Sequence, residues 1–387
     1  MDHPLDALLA KADELCQSPE FRDVVWRCCG YHAGTADIGR LNTHIHRNDQ
    51  MLLHSLNYFQ EVNWSLSQYF NIALQQHHAV RQLLRLMFGT AVADCHILDF
   101  ACGYGRLLRF LTLSVPPTRI WASEIQPDAL DFVVREFGVH GTISNVNPDR
   151  FEPGRQFDFI WAASLFSHLP WHLFRGWLAR LTSILEPHGV LCFSARDERD
   201  LPPDIPMPHG GFHFSPVSEN EPLDNSVYGT TWVTEAFVRR AIVEAAGEDF
   251  ACFRIKRGLA NEQDIYVVSK RRGDLDRLKS FRKGAWGWVD ECCVSEAGEL
   301  YVRGWAASLD DGAIDFVTVT LDGRAYRCPT GLESDDVRRV LNDDRLAFCD
   351  WEFRNLLGQS STAFLEITAG SGDENALLYA GPVTRQT

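Results

Sequence analysis

The sequence predicts an α/β protein whose parallel sheet lies mid-chain, with a helical segment before it and an all-β segment after it. Three observations carry this. Between residues 95 and 270, short apolar runs alternate with amphipathic stretches at about 20–30-residue spacing, as βαβ units require. Before residue 75, apolar residues recur at helical spacing. Beyond residue 284, short runs alternate apolar and polar residues with period two.

Each element follows from local signals. Leu5, Leu8, Leu9 and Ala12 share one helical face; a second helix is expected at Met51–Phe59 and a third at Trp64–Met87, with Leu66, Phe70, Ile72, Leu74, Val80, Leu83, Leu84 and Leu86 as its apolar positions. Strands are expected at His96–Phe100, Arg119–Glu124, Gly141–Asn145, Phe157–Ala163, Gly189–Ser194 and Asp264–Lys270. The clearest helix is Pro170–Leu185, with Phe174, Trp177, Leu178, Leu181 and Leu185 on one face, Pro170 in its first turn and Gly189 just past its end. Residues 271–283 are basic and polar, a candidate linker. After it come strands at Trp286–Val294, Leu300–Ala306, Phe316–Leu321 and Ala363–Thr368, and Asp322-Gly323 is a hairpin turn. The expected parts are a helical N-terminal cap (1–75), the central domain (76–272) and an accessory β-sandwich (284–387).

The 387 residues are 45% hydrophobic and 23% charged, ordinary for a folded chain. The net charge is −15, of which residues 284–387 carry −10 with 8 Arg and no Lys. An acidic chain is a poor polyanion binder, so nucleic acid is not an expected partner. The eleven cysteines include no C-x-x-C pair, and buried thiols of a reducing compartment are expected. The start, MDHPLDALLAKADELC, lacks a signal-peptide core, and no apolar run reaches transmembrane length. A soluble cytoplasmic protein is the expectation, with a peripheral membrane role left open.

The chemistry sits in HILDFACGYGRLLRFL, residues 96–111. An apolar strand reaches Asp99; a turn over Cys102, Gly103, Tyr104 and Gly105 leads to a helix expected near Arg106. Glycines let the backbone bend and approach a ligand, and helix-start amides favour an anion. The third glycine of a dinucleotide fingerprint is replaced by Leu108. Asp99 would repel a pyrophosphate but accept hydrogen bonds from an ammonium group. S-adenosylmethionine (SAM) presents an ammonium, a carboxylate and a sulfonium, so the turn suits SAM better than NAD. Glu124 closes the next strand, 25 residues on, where a carboxylate binds both ribose hydroxyls. Its alternative is a solvated strand-end acid.

Over about residues 60–270 the chain resembles the class I SAM-dependent methyltransferases, through LDFACGYGR, SEI with Glu124, FDFIWAASLFSHLP and LEPHGVLCFSA. The resemblance implies a Rossmann-like, seven-stranded, mostly parallel sheet with its last strand antiparallel, and SAM across the carboxyl ends of the first strands. By the same resemblance Asp99, Ala101, Cys102, Gly103, Gly105, Glu124, Ile125 and Ala163 hold the cofactor, Asn145 and Val146 meet the adenine, and Tyr69 closes over the methionine end. Tyr69-Phe70 has the alternative of a core aromatic pair. Less extensively, LYVRGWAASLDD, TVTLDGRAY and ESDDVRRVLND resemble a β-sandwich module of bacterial surface-polysaccharide enzymes, centred on Gly304-Trp305-Ala306 and Asp336-Val337.

His168 in SLFSHLP is the candidate general base for an oxygen acceptor, or else a structural histidine of the cofactor loop. The Gly/Pro/Asn-rich insert His209–Thr231 offers His209, His213 and Tyr228 to a hydroxylated substrate, or else covers the surface. His44, His46 and Asp49, and His77-His78, lack metal-site spacing; Ile45–Asp49 is expected to be a helix cap or a pocket-lining turn. The expected function is O-methylation of a sugar or glycan precursor. The alternatives are a small-molecule O- or N-methyltransferase and a SAM-binding scaffold without turnover. Residues 284–387 are the expected contact for a homo-oligomer or a glycan-assembly partner.

Overall fold

The computed structural model describes residues 4–30, 37–217, 224–358, 361–371 and 374–385. The chain divides into two compact units, one of residues 1–78 with 282–387 and one of residues 79–281. The helical segment and the β segment, expected as separate parts, thus lie in the same unit.

Helices α1 (Pro4–Gln17), α2 (Pro19–Cys28), α3 (Gln50–Phe59) and α4 (Val62–Phe88) open the chain. The sequence signals located α1, α3 and α4 and missed α2, which starts where the Ser18 hydroxyl accepts from the Phe21 amide and Pro19 takes the first position. Asp49 caps α3 by accepting from Met51 and Leu52, the capping role expected of the Ile45–Asp49 turn. The division between the units falls within α4.

The second unit is built on strands β1 (Ile97–Phe100), β2 (Ile120–Glu124), β3 (His140–Ile143), β4 (Phe157–Ala162) and β5 (Leu185–Asp197), interleaved with α5 (Leu108–Ser114), α6 (Pro127–Phe137) and α7 (Trp171–Ser183). The hairpin strands β6 (Phe212–Ser215) and β7 (Thr230–Val233), helix α8 (Glu235–Ala246) and strands β8 (Ala251–Leu259) and β9 (Gln263–Ser269) complete it. Seven strands run in the order β3-β2-β1-β4-β5-β9-β8. β1 to β5 are mutually parallel, and β9 is antiparallel to β5 and to β8. This is the Rossmann-like sheet expected, extended by β7 and β6 at the carboxyl end of β5. Strand order reverses between β1 and β4, so their carboxyl ends flank the topological switch point.

Two apolar layers cover the sheet. Val80, Leu83 and Met87 of α4 with Phe132 and Val133 of α6 pack on Ile97, Phe159, Val190 and Val267. On the opposite face Phe174, Trp177 and Leu181 of α7 and Val238 of α8 pack on Leu98, Ile160, Leu191 and Phe193. The alternation of strand residues between the two layers is the period-two rule applied to a sheet buried on both faces.

Four local expectations are corrected. Helix α5 begins at Leu108 rather than near Arg106, because residues 103–107 continue the turn. Gly189 lies inside β5, where any Cβ would stand 2.8 Å from the Phe157 carbonyl; close backbone approach, not helix termination, demands glycine there. Pro170 is the N-cap of α7 rather than a residue of its first turn. The basic stretch expected as a linker forms a 3-10 helix over Arg272–Ser280 that buries Leu275 and Leu278 in the first apolar layer.

In the first unit, β10 (Ala285–Val294), β11 (Glu299–Ser308), β12 (Gly312–Ala313), β13 (Phe316–Leu321), β14 (Arg324–Pro329), helix α9 (Asp335–Leu341), β15 (Asp350–Leu356), β16 (Thr362–Ser371) and β17 (Glu374–Thr384) follow. They form two four-stranded antiparallel sheets: β11 flanked by β10, β12 and β15, and β14-β13-β16-β17. Val289, Val302, Val317, Val319, Leu365 and Ile367 share one core. Asp322 and Gly323, with φ of 47° and 78°, make the β13–β14 turn, both central residues positive as a tight hairpin needs.

The N-terminal helices join these sheets by side chains that reach strand backbone. Asn63 donates to the Pro382 carbonyl (2.8 Å) and the Tyr379 hydroxyl (2.9 Å), Gln75 donates to the Ala285 carbonyl (2.9 Å), and the Ser67 hydroxyl accepts from the Ala380 amide (2.9 Å). Arg27 of α2 grips the Glu366 carboxylate with both terminal nitrogens, at 2.6 and 2.8 Å. Glu366 is 4% exposed, so this pair satisfies a charge that water cannot reach.

Removing the guanidinium with Arg27→Ala should lower stability by about 2 kcal/mol, less than for a fully buried pair because Arg27 is half-exposed. Thermal unfolding followed by circular dichroism checks this, and an unchanged midpoint would refute it. In the second unit a Cβ on Gly105 would stand 2.5 Å from the Phe137 ring at a φ of 76°, whereas one on Gly103 (φ 54°) meets nothing within 4 Å. Gly105→Ala should cost about 2–4 kcal/mol and Gly103→Ala about 1 kcal/mol by denaturant unfolding. Equal losses would show that Phe137 moves aside freely.

Candidate functional site

The site is assembled at the carboxyl ends of β1 and β2. Where β1 stops, the chain turns through Ala101 (φ 59°), Gly103 (φ 54°) and Gly105 (φ 76°). Alanine is strained in that left-handed region, so surrounding bonds must enforce the bend. They do so from β2: the Cys102 amide donates to the Ser123 carbonyl (3.1 Å) and the Gly103 amide to Glu124 Oε2 (2.9 Å). Tyr104 adds a third tie, its hydroxyl donating to Asp128 in the first turn of α6 at 2.6 Å.

Two carboxylates flank this turn. Asp99 is 4% exposed, and its Oδ2 has no hydrogen-bond partner. Burial, reinforced by the negative charge of Glu124, pushes its pKa up to about 8. Glu124 is 8% exposed, and burial raises its pKa too, while the amides of Gly103, Gln126 and Ile125 pull it back. Its Oε1 accepts from the amides of Ile125 (2.7 Å) and Gln126 (3.2 Å). A buried acceptor lacking a donor, beside open space over Gly103, fits a ligand that brings an ammonium group. A diphosphate would meet two carboxylates instead.

The other expected cofactor residues are placed as follows. Ile125 is half-buried after β2. Asn145 and Val146 follow β3 on the surface, with Val146 42% exposed and Asn145 Oδ1 accepting from the Asn147 amide. Ala163 is half-buried at the end of β4. Tyr69 belongs to the first unit, is buried there, and donates its hydroxyl to Asp49 Oδ2 at 2.7 Å.

The loop after β4 is held by groups that the sequence did not single out. Ser164, at φ 52°, donates its amide to the Ser194 hydroxyl (2.7 Å); Ser194 donates to Gln263 Oε1 (2.7 Å); and Gln263 Nε2 returns to the Ser164 hydroxyl (3.0 Å). This closed ring joins β4, β5 and β9. Beyond it, Arg254 of β8 bridges Asp197, Glu235 and the fully buried Asp264. Sequence offered only scattered polar residues at strand ends as a signal for either network.

His168 lies in the same loop, half-buried, with Nδ1 2.7 Å from the Gly229 carbonyl and its ring stacked on Tyr228 (4.6 Å between centroids, 7° between planes). The structure therefore brings together His168 and one of the three aromatic residues expected of the insert. His213 on β6 packs on Trp232 of β7 (5.7 Å), and His209 is exposed before β6. Residues 218–223 of the insert lie outside the described residues. Among the described residues, no group of three or more His, Cys, Asp or Glu is placed to hold a metal ion, and no helix is long and apolar enough to cross a membrane.

Residues 97–189, less than half of the chain, match the family described as a methyltransferase domain. A search of curated proteins finds no match. Among solved structures, a SAM-bound amino pentose methyltransferase from Micromonospora echinaspora shares 16% identity over 50% of this chain and 90% of its own, with a TM-score of 0.37. A SAM-dependent methyltransferase from Clostridium acetobutylicum shares 13% over 49% and 91%, with a TM-score of 0.35. A TehB-like SAM-dependent methyltransferase from Corynebacterium glutamicum shares 17% over 57% and 99%, also at 0.35. The family match makes residues 97–189 a methyltransferase domain, which takes in the parallel strands β1 to β4 and the carboxylate-flanked turn.

Proposed function

We propose that this enzyme O-methylates a sugar or glycan precursor in surface-polysaccharide biosynthesis, in the cytoplasm, with residues 76–272 carrying the chemistry and 284–387 serving as an accessory module. The observation that carries the cofactor half of this reading is Asp99 Oδ2, a buried oxygen without a donor. Asp99 would accept from the ammonium of SAM, the bend Ala101–Gly105 would leave room over Gly103 for the amino-acid tail, and Glu124 would hold the ribose hydroxyls. Ile125, Asn145 and Val146 would border the adenine, and Ala163 the methionine chain.

SAM supplies an activated methyl group, so the protein's task is orientation, exclusion of water and removal of the acceptor proton. His168 would take that proton. The half-buried stack of His168 and Tyr228, with His213 on Trp232 nearby in sequence, supports a hydroxylated, ring-shaped acceptor: aromatic faces pack on the C–H face of a sugar while polar tips meet its hydroxyls. His209, exposed, would contribute at the rim. The acidic β segment would favour neutral glycans or protein partners over anionic ones.

In the cofactor-free protein Asp99 stays protonated below about pH 8, and an arriving ammonium favours the ionised form. Binding of SAM should therefore release about one proton and tighten up to tenfold from about pH 6 to about pH 7. Asp99→Asn should remove this dependence and weaken binding by about ten- to a hundredfold. The same substitution should stabilise the cofactor-free fold most at alkaline pH. A raised carboxyl pKa makes wild-type stability fall as pH rises from the unfolded value through about 8. Calorimetry in buffers of different protonation enthalpy reads the proton, and pH-independent affinity would refute the assignment. For the acceptor, conversion of SAM to S-adenosylhomocysteine should occur with nucleotide sugars or short neutral glycans. His168→Ala should lower kcat by about a hundredfold or more at unchanged SAM affinity. Equal loss of both would mark His168 as structural, and turnover only with non-sugar amines would overturn the acceptor class.

A further inference from the structure

We infer that Tyr228 is a positioning residue for His168, and that the Gly229 carbonyl decides which ring nitrogen carries the proton; the inference rests on the reading of His168 as the base. A carbonyl oxygen can only accept. With Gly229 O 2.7 Å from Nδ1, that nitrogen must be the donor, and the neutral ring keeps its lone pair on Nε2. Tyr228 lies flat on the same ring, 4.6 Å away and 7° from parallel. One dipeptide thus holds the imidazole by its face and by its edge: a quarter turn of the ring about its bond to Cβ would break both contacts, and a half turn would break the hydrogen bond.

The dipeptide is itself immobilised. Its register against the loop is set by Gly229 N donating to the His168 carbonyl (2.8 Å), Thr231 N to the Ser167 carbonyl (2.7 Å) and the Thr231 hydroxyl to the Leu169 carbonyl (2.6 Å). From behind it is pinned by β6. A Cβ at position 229 would stand 2.2 Å from the Ser215 carbonyl and 2.7 Å from the Phe214 ring, so only glycine fits. The insert is therefore more than a cover: it fixes the tautomer of the loop histidine. In the transfer step His168 Nε2 takes the acceptor hydroxyl proton as the oxygen bonds to the methyl carbon and the carbon–sulfur bond breaks. The electron pair of that bond neutralises the sulfonium, and the imidazolium charge is shared with the Gly229 carbonyl through Nδ1–H.

The test uses the full chain with S-adenosylhomocysteine, uniformly labelled with nitrogen-15 at histidine, and long-range proton–nitrogen spectra near neutral pH. His168→Gln identifies the His168 signals among the 14 histidines. The wild type should show a protonated Nδ1 and a lone-pair Nε2 at His168, as should Tyr228→Phe, which keeps the stack. Tyr228→Leu should lose more than half of that tautomer. An Nε2-protonated ring in the wild type overturns the inference, and an unchanged ring in Tyr228→Leu removes Tyr228 from it. Should Tyr228→Leu fail to bind the nucleoside, Tyr228→Met, which also removes the ring face, takes its place with the same expected loss, and an unchanged ring there likewise removes Tyr228 from the inference. A wild-type ring protonated at Nδ1 with full turnover in His168→Ala would sink the base assignment and leave the positioning intact.

Discussion

A carboxyl group without a partner governs the second unit. Asp99 is nearly sealed from water, one of its oxygens meets no donor, and the charged group that acts on it, Glu124, is of the same sign. A fold tolerates such a group in either of two ways: it stays protonated, or a cation arrives. In the proposed reading the cofactor's ammonium is that cation. Three left-handed residues bend the chain over β1, one of them an alanine, and the bend is tied to β2 by backbone bonds and by Glu124 itself. The strain at Ala101 and the burial of Asp99 both oppose stability, and in the proposed reading both serve a nucleoside with an amino-acid tail in the turn.

Around that constraint the sheet supplies rigidity. The loop after β4 leaves its strand through a left-handed serine and is clamped by hydroxyl and amide groups from β5 and β9. The β6–β7 hairpin then braces the following residues by backbone hydrogen bonds and a ring stack. Reacting groups on loops keep their geometry when packed strands hold the loops from both sides. In the proposed reading the strands added at the end of β5 bring a carbonyl and an aromatic face to the histidine of that loop.

Much of this was legible in the sequence because it depends on local signals. Asp99 and Glu124 end apolar runs, the glycine turn separates them, and period-two alternation at Val317, Val319 and Leu321 with Asp322-Gly323 marks a hairpin. Other features depend on partners distant in the chain. Strand β8 was missed because Arg254, Lys256 and Arg257 interrupt its apolar positions, and Arg254 is needed to neutralise Asp197 and Asp264. Leu275 and Leu278 were lost in a basic stretch whose charges face outward. Gly189 serves a close approach to Phe157, which no neighbour in sequence announces. The ring of Ser164, Ser194 and Gln263 exists only once three strands are in register. The N-terminal helices meet the C-terminal strands through Asn63, Ser67 and Gln75, which nothing local sets apart from the other polar residues of α4.

The most direct test of the central claim is a crystal structure of the full chain with S-adenosylhomocysteine. The account predicts the amino group of that nucleoside within hydrogen-bond distance of Asp99 Oδ2 and its ribose hydroxyls on Glu124. An Asp99 side chain turned away to bond protein donors, with the nucleoside bound elsewhere, would contradict it.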